Sequence, residues 1–295
     1  MDAEFLPDVL GATELERLRQ SVQLDDQIDG ARLISDAARH DGVELIIGSW
    51  GMPRLTAELL AELPQLRAVF YAAGTIKSIA TDASWERGIR ITNAALANAR
   101  PTAEFAFAQI ILSLKRAWKR VFLMRENRAF VQRDPLAQGC YGSTVGLLAM
   151  GKIGRLVAAR LQTLDVSVIA YDPFVNLADI VGLNVRLCDL DEVFALSDVV
   201  SCHLPLTQQT QRLLGRQHFA AMKRGATFIN TARGVVVRED EMIAVLRERA
   251  DLFAVLDVSE HEPPPRMIRC SRCRMSSSRR ISQAAPAWSV EGWDE

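Results

Sequence analysis

Residues 145–172 read Val-Gly-Leu-Leu-Ala-Met-Gly-Lys-Ile-Gly-Arg-Leu-Val-Ala-Ala-Arg-Leu-Gln-Thr-Leu-Asp-Val-Ser-Val-Ile-Ala-Tyr-Asp. An apolar run from Val145 to Ala149 meets small residues. A helix-period stretch comes next (Ile153, Leu156, Val157, Leu161), then a second apolar run, Val166 to Tyr171, which ends on Asp172. That order is strand, turn, helix, strand, acid. The turn, Ala149-x-Gly151-x-x-Gly154, differs by one alanine from a dinucleotide-binding fingerprint. Gly151 lets a backbone approach a pyrophosphate at the helix start, where Lys152 and Ile153 offer free N–H groups. Gly154 lets helix and strand pack closely. Asp172 stands about 20 residues on, where an acid takes the adenosine ribose hydroxyls. The alternative is the same fold with an ordinary tight turn and no nucleotide.

A chain of 295 residues, 49% hydrophobic and 24% charged, can bury a large core, and its length predicts about two domains. A net charge of −1 points to neither nucleic acid nor an anionic membrane. No run reaches the length of a membrane span, and Met1-Asp-Ala-Glu-Phe5 is not a signal sequence, so a cytoplasmic protein is expected. The five scattered cysteines read as reduced thiols.

Upstream, helices are expected around Leu15 to Val22, Ala31 to Ala38 and Pro53 to Leu63, and strands over Val43–Ile47, Leu66–Ala72 and Ile89–Ala94. This alternation predicts a small parallel α/β domain. A buried strand usually opens such a domain; here a helix comes almost directly after Met1, which sets an expectation of a start further upstream. Asn98 to Glu104 reads as a turn entering a long helix, with Pro101 in its first turn. Ala103 to Leu114, apolar on nearly every side, is expected as a buried hinge helix. Lys115 to Gly142 is basic and aromatic, either a solvated helix and loop or a dimer contact. Downstream, strands are expected over Val185–Cys188, Asp198–Leu204, Ala226–Thr231 and Leu252–Val258, with helices near 190–196, 215–222 and 238–248.

The residues at these strand ends carry a resemblance. The chain resembles the NAD-dependent D-isomer-specific 2-hydroxyacid dehydrogenases, across roughly residues 40–264, in these blocks: Trp50-Gly51-Met52-Pro53; Ala72-Ala73-Gly74; Asn98-Ala99-x-Pro101-x-Ala103-Glu104; Gly146 to Gly154; Ser197 to Val200 through His203-Leu204-Pro205-Leu206-Thr207; Phe228 to Gly234; and Leu256-Asp257-Val258 to Glu262-Pro263. The resemblance implies hydride exchange between NAD(H) and the 2-carbon of a small hydroxy or keto acid. It implies Arg233 on the substrate carboxylate and carbonyl, Glu262 as the partner of an acid/base histidine, and Ala73 and Gly74 as backbone donors to the carboxylate. It places Gly151, Lys152, Ile153, Gly154, Asp172, His203, Pro205, Thr207, Thr231, Ala232 and Asp257 around the cofactor. A homodimer is expected, and NAD rather than NADP, because Asp172 repels a 2′-phosphate and Pro173-Phe174 bring no arginine.

The acid/base histidine is missing. Of His40, His203, His218 and His261, none stands at the family position beyond Glu262, at the end of a further strand. Arg266 to Ser282 stands there instead, an arginine- and serine-rich stretch without strand or helix pattern. Cys270-x-x-Cys273 lacks a second ligand pair, so no metal is expected. Synonymous codons exist for Cys270 to Ala284 whose overlapping frame reads Leu-Ala-Leu-Pro-His-Val-Val-Leu-Thr-Pro-His-Ile-Ala-Gly, which is the expected strand. Its second histidine bridges the codons of Arg280 and Ile281. The expectation is therefore a flavodoxin-like substrate domain (1–100), a doubly wound Rossmann NAD-binding domain (101–264), and an aberrant tail (265–295) produced by a frame shift near Pro265, ending before the family's closing helix. The alternatives are a genuine divergent, disordered tail, and a catalytically impaired NAD-binding protein.

Overall fold

The computed structural model describes residues 9–24, 28–132, 134–261 and, for the backbone, 273–275. The chain divides between Ala99 and Arg100 into two compact units. The first holds helix α1 (Ala12–Ser21), α2 (Gly30–Ser35), strand β1 (Leu45–Gly48), α3 (Ala57–Glu62), β2 (Ala68–Tyr71), α4 (Asp82–Glu86) and β3 (Arg90–Asn93). Its strands form a parallel sheet in the order β1-β2-β3. Leu55, Leu59, Leu60, Leu63, Val69 and Ile79 make its core.

Helix α5 (Ala95–Leu114) crosses the boundary and leads to α6 (Ala117–Asn127). The second unit continues β4 (Ser143–Leu148), α7 (Lys152–Leu161), β5 (Val166–Tyr171), β6 (Val185–Leu187), α8 (Leu190–Leu196), β7 (Val199–Cys202), α9 (Arg216–Ala221), β8 (Thr227–Asn230), α10 (Glu239–Glu248), β9 (Phe253–Leu256) and β10 (Cys273–Met275). All seven strands are parallel, in the order β10-β9-β8-β7-β4-β5-β6. Strand residues alternate between two cores. Val145, Leu147, Val199 and Ile229 pack with Ala106 and Ile110 of α5 and Val157 and Leu161 of α7. Leu148, Val200 and Phe228 pack with Phe194, Phe219, Met242 and Val245 of α8, α9 and α10. Helices on both faces leave the sheet's carboxyl edge as the open side, and strand order reverses between β4 and β7, the crevice where such sheets bind ligands.

Several expectations are corrected here. Helix α5 starts well before Asn98: the Asn93 side chain accepts the Ala95 N–H (3.0 Å) and the Asn98 N–H reaches Ala94 O (2.9 Å), so Pro101 lies inside the helix, where it removes one backbone bond. Residues 53–56 are not helical, because the Leu55 N–H bonds Ile79 O (2.8 Å) and Thr56 caps α3 by accepting from Leu59 N. The second helix ends at Ser35 and gives way to a short 3-10 turn, Ala37–His40. The arginine-rich tail, expected without a strand, contributes β10, paired with Ala254–Leu256. A parallel ladder is made by main-chain groups, and the open edge of β9 offers them whatever the side-chain pattern. The rest of that tail lies outside the described residues.

Candidate active site at the carboxyl edge of the sheet

Between β4 and α7 the chain turns through Ala149 at φ +75°. A β-carbon on Gly154 would lie 2.1 Å from Ala149 O, so helix and turn can touch only because that residue has no side chain. A β-carbon on Gly151 would meet nothing within 4 Å, so the mouth of the turn is open to solvent. The N–H groups of Gly151, Lys152 and Ile153 have no acceptor among the described residues, and the first turn of α7 carries no acid. This is the donor array an anion needs at a helix start. Asp172, just past β5, accepts the Met150 N–H on Oδ2 (2.8 Å) and the Phe174 N–H on Oδ1 (3.0 Å). A carboxylate offers about four lone-pair sites, so two remain for ribose hydroxyls. Open glycine, free amides and spare carboxylate lone pairs fit a dinucleotide.

Next along the edge, His203 lies just beyond β7 and is 9% exposed. Its Nε2 is 3.1 Å from Ser201 Oγ, while its Nδ1 is buried without a partner. Burial pushes its pKa down to about 4, so it is neutral at pH 7. The neighbouring Cys202 thiol is pushed up to about 12 by the same cause. Pro205 and Thr207 form a compact turn around Thr210, whose hydroxyl donates to Pro205 O (2.5 Å) and accepts from Thr207 N (2.9 Å).

Thr231, after β8, is buried with its hydroxyl unpaired. The buried Asn230 amide braces the next three residues: Oδ1 accepts from Ala232 N and Nδ2 donates to Arg233 O, both at 3.0 Å. Arg233 is half-buried and donates from Nη1 to Ala232 O (2.6 Å). Gly234 touches the loop after β9 so closely that a β-carbon would lie 1.9 Å from the Ser259 carbonyl. In that loop Asp257 N donates to Asn230 O (2.9 Å), and Ser259 Oγ donates to His261 O (2.5 Å). Glu262 comes next in the chain, outside the described residues.

One edge of one sheet thus carries Asp172, Gly151 to Gly154, His203, Pro205, Thr207, Thr231 to Arg233 and Asp257. Ala73 and Gly74 belong to the first unit, just past β2. Their N–H groups have no acceptor among the described residues, while Ala73 O accepts from Ala94 N (3.2 Å). His40 ends the 3-10 turn of that unit, and His218 is buried in α9, its Nδ1 accepting from Gly215 N at 3.0 Å. Asn230 and Gly234 are visible in the sequence as members of a block, but without their bracing roles. Arg212 and Glu239, which hold the loops beyond β7 and β9, give no local signal. Among the described residues no cluster of histidine, cysteine and acids could hold a metal ion, and no helix is long and apolar enough to cross a membrane.

Residues 108–277 match the family model for the NAD binding domain of D-isomer specific 2-hydroxyacid dehydrogenases. The chain belongs to this family. D-3-phosphoglycerate dehydrogenase of Archaeoglobus fulgidus is 31% identical over 211 residues, 72% of this chain and 40% of that protein. The chain therefore spans less than half the length of the phosphoglycerate dehydrogenases it matches. (S)-Sulfolactate dehydrogenase of Chromohalobacter salexigens is 35% identical over 268 residues, 88% of this chain and 83% of that one. The crystal structure of a glyoxylate reductase from Paecilomyes thermophila aligns with a TM-score of 0.75 at 25% identity, over 93% of this chain and 88% of that one. The dehydrogenase family's NAD-binding domain is thus the unit that holds the open turn, Asp172 and Arg233.

Proposed function

We propose that this chain is an NAD(H)-dependent oxidoreductase that transfers a hydride between the cofactor and the 2-carbon of a small 2-hydroxy or 2-keto acid. The observation that carries the reading is the Asn230-braced Arg233 on the same sheet edge as the phosphate turn. Gly151, Lys152 and Ile153 would hold the pyrophosphate, and Asp172 the ribose. Bound there, the nicotinamide supplies or accepts the hydride. Arg233 can hold a carboxylate by two parallel hydrogen bonds and polarise the carbonyl beside it. On the family resemblance alone, the Ala73 and Gly74 N–H groups of the first unit would be donors to a substrate carboxylate, and Glu262 the acid that would raise the basicity of a catalytic histidine.

A second reading, a catalytically impaired NAD-binding protein, is favoured by the state of His203 and His218. His203 is buried, neutral and bonded to Ser201, and His218 lies deep in α9, so neither is a proton donor to a substrate at this edge. Loss of a general acid typically lowers turnover by about 10²–10⁴-fold. Titration of NADH fluorescence beside turnover of glyoxylate, pyruvate and hydroxypyruvate separates the readings. Binding with brisk turnover supports an active enzyme; binding with turnover depressed to that extent supports the impaired one. No binding overturns both. The same reading includes a frame shift near Pro265, which resequencing across the codons for Glu262 to Ala287 decides. For either reading we also propose a homodimer formed through residues 115–142, and a cytoplasmic location.

A further inference from the structure

Three loops leave the carboxyl ends of β7, β8 and β9, and Arg212, in the first, is bonded to the other two. It closes the loop after β7. Its N–H donates to Val235 O in the loop after β8 (2.8 Å), and its own carbonyl accepts from Arg238 Nε (2.9 Å). Its guanidinium meets Glu260 in the loop after β9 through Nη1 and reaches Asp240 Oδ1 through Nη2 at 3.4 Å. Arg212 does this at φ +53°. In that left-handed region a residue with a β-carbon is strained, and glycine is the unstrained choice. Backbone energy therefore argues against an arginine here, and its backbone bonds need no particular side chain. What distinguishes arginine from glycine at this turn is the guanidinium, with Nη1 on Glu260 and Nη2 toward Asp240.

Glu260 is held from a second direction, its N–H donating to Oε2 of the buried Glu239 at the start of α10 (2.8 Å). The Ser259–Glu260 peptide is also the one that presses on Gly234. Arg233 immediately precedes Gly234, and Glu262 comes two residues after Glu260. Arg212 and Glu260 are 43% and 18% exposed, and a partly exposed ion pair contributes little to folding stability. Its value lies in where it holds the loop.

We infer that Arg212 is a positioning residue: through Glu260 it fixes the segment leading to Glu262 against the Arg233 loop. The consequence for substrate rests on the dehydrogenase reading above; the clasp itself does not. Arg212→Gly separates positioning from stability, because it relieves the backbone while deleting the guanidinium that meets Glu260. In the cofactor-free chain, amide hydrogen exchange in peptides spanning 257–261 should rise by about tenfold or more, with the melting temperature unchanged or higher. With NADH saturating, oxamate, an inert analogue of a 2-keto acid, should bind about tenfold more weakly, while NADH affinity stays within about twofold. The exchanged pair, Arg212→Glu with Glu260→Arg, combined with Asp240→Asn to remove the carboxylate that faces position 212, should recover both exchange protection and oxamate binding. Unchanged exchange and unchanged oxamate binding in Arg212→Gly would overturn the inference, as would a fall in melting temperature that accounts for both. If the unaltered chain binds no NADH, the dehydrogenase reading falls, and the exchange experiment still decides the clasp.

Discussion

At the scale of single residues, the phosphate turn sets two glycine-type demands against each other. Gly154 has no room for a β-carbon, 2.1 Å from Ala149 O, so Gly154→Ala should push α7 off the turn. Overpacking of this kind costs about 1–3 kcal/mol, and the expected outcome is a lower melting temperature together with weaker NADH binding. Ala149 is the opposite case: it has a β-carbon at φ +75°, where glycine is unstrained. Ala149→Gly should raise stability by up to about 1 kcal/mol in urea titration and leave NADH affinity unchanged. Asp172 argues a third point. Both its oxygens already hold backbone N–H groups, which pins the carboxylate beside the turn, where it would accept ribose hydroxyls and repel a 2′-phosphate. NADH should bind more tightly than NADPH in side-by-side fluorescence titrations, and Asp172→Ser should narrow the gap; equal affinities for the unaltered chain would contradict this.

Among elements, β7 is the one whose end couples stability to pH. His203 is held neutral by burial, its pKa pushed from 6.5 to about 4, and His218 in α9 is shifted the same way by burial. Below pH 6.5 the unfolded chain takes up protons that folded His203 refuses until about pH 4. Stability is therefore fully present above the unfolded value and is lost as pH falls from about 6.5 to about 4. His203 alone accounts for about 3 kcal/mol of that loss. Urea midpoints at pH 7.5 and 5 should differ accordingly, and His203→Asn should flatten the slope; a pH-independent midpoint would show that His203 titrates normally. Strand β8 works differently: its last residue, Asn230, uses a neutral amide to hold the Arg233 loop, and this bracing does not titrate.

For the whole molecule the open question is assembly, and α6 with the loop beyond it bears on it. Phe130 is 74% exposed and Tyr141 82%, and Val121 and Met124 are also exposed. Beside them runs a groove of about 490 Å³ lined by Lys119, Arg120, Met124, Val131 and Ala137. Arg120 lies 5.2 Å over the Phe130 ring, and arginine and aromatic residues are both enriched in interface cores. A dimer is expected at micromolar concentration by light scattering, and Met124→Asp with Phe130→Asp should shift it to monomer without lowering the melting temperature. A monomeric mass for the unaltered chain would refute the expectation.

Sequence alone was enough for the doubly wound unit, because its signals are local. Buried parallel strands are continuous apolar runs, α7 has a helical period, and the Gly151-x-x-Gly154 spacing with Asp172 is a pattern within one strand-helix-strand unit. Family membership was equally legible, since blocks at strand ends keep their order along the chain. What the sequence could not decide were matters settled by partners distant in the chain. Pro101 reads as a helix start until Asn93 is seen to cap α5 earlier, and residues 53–56 read as helix until Leu55 is seen bonded to Ile79. The tail carries no strand period, yet its backbone pairs with the open edge of β9, since a ladder asks only for N–H and C=O groups in reach. The left-handed Arg212, the peptide pressed on Gly234 and the burial that keeps His203 neutral likewise exist only once β7, β8 and β9 lie side by side, because each depends on distances between residues that the chain itself keeps far apart.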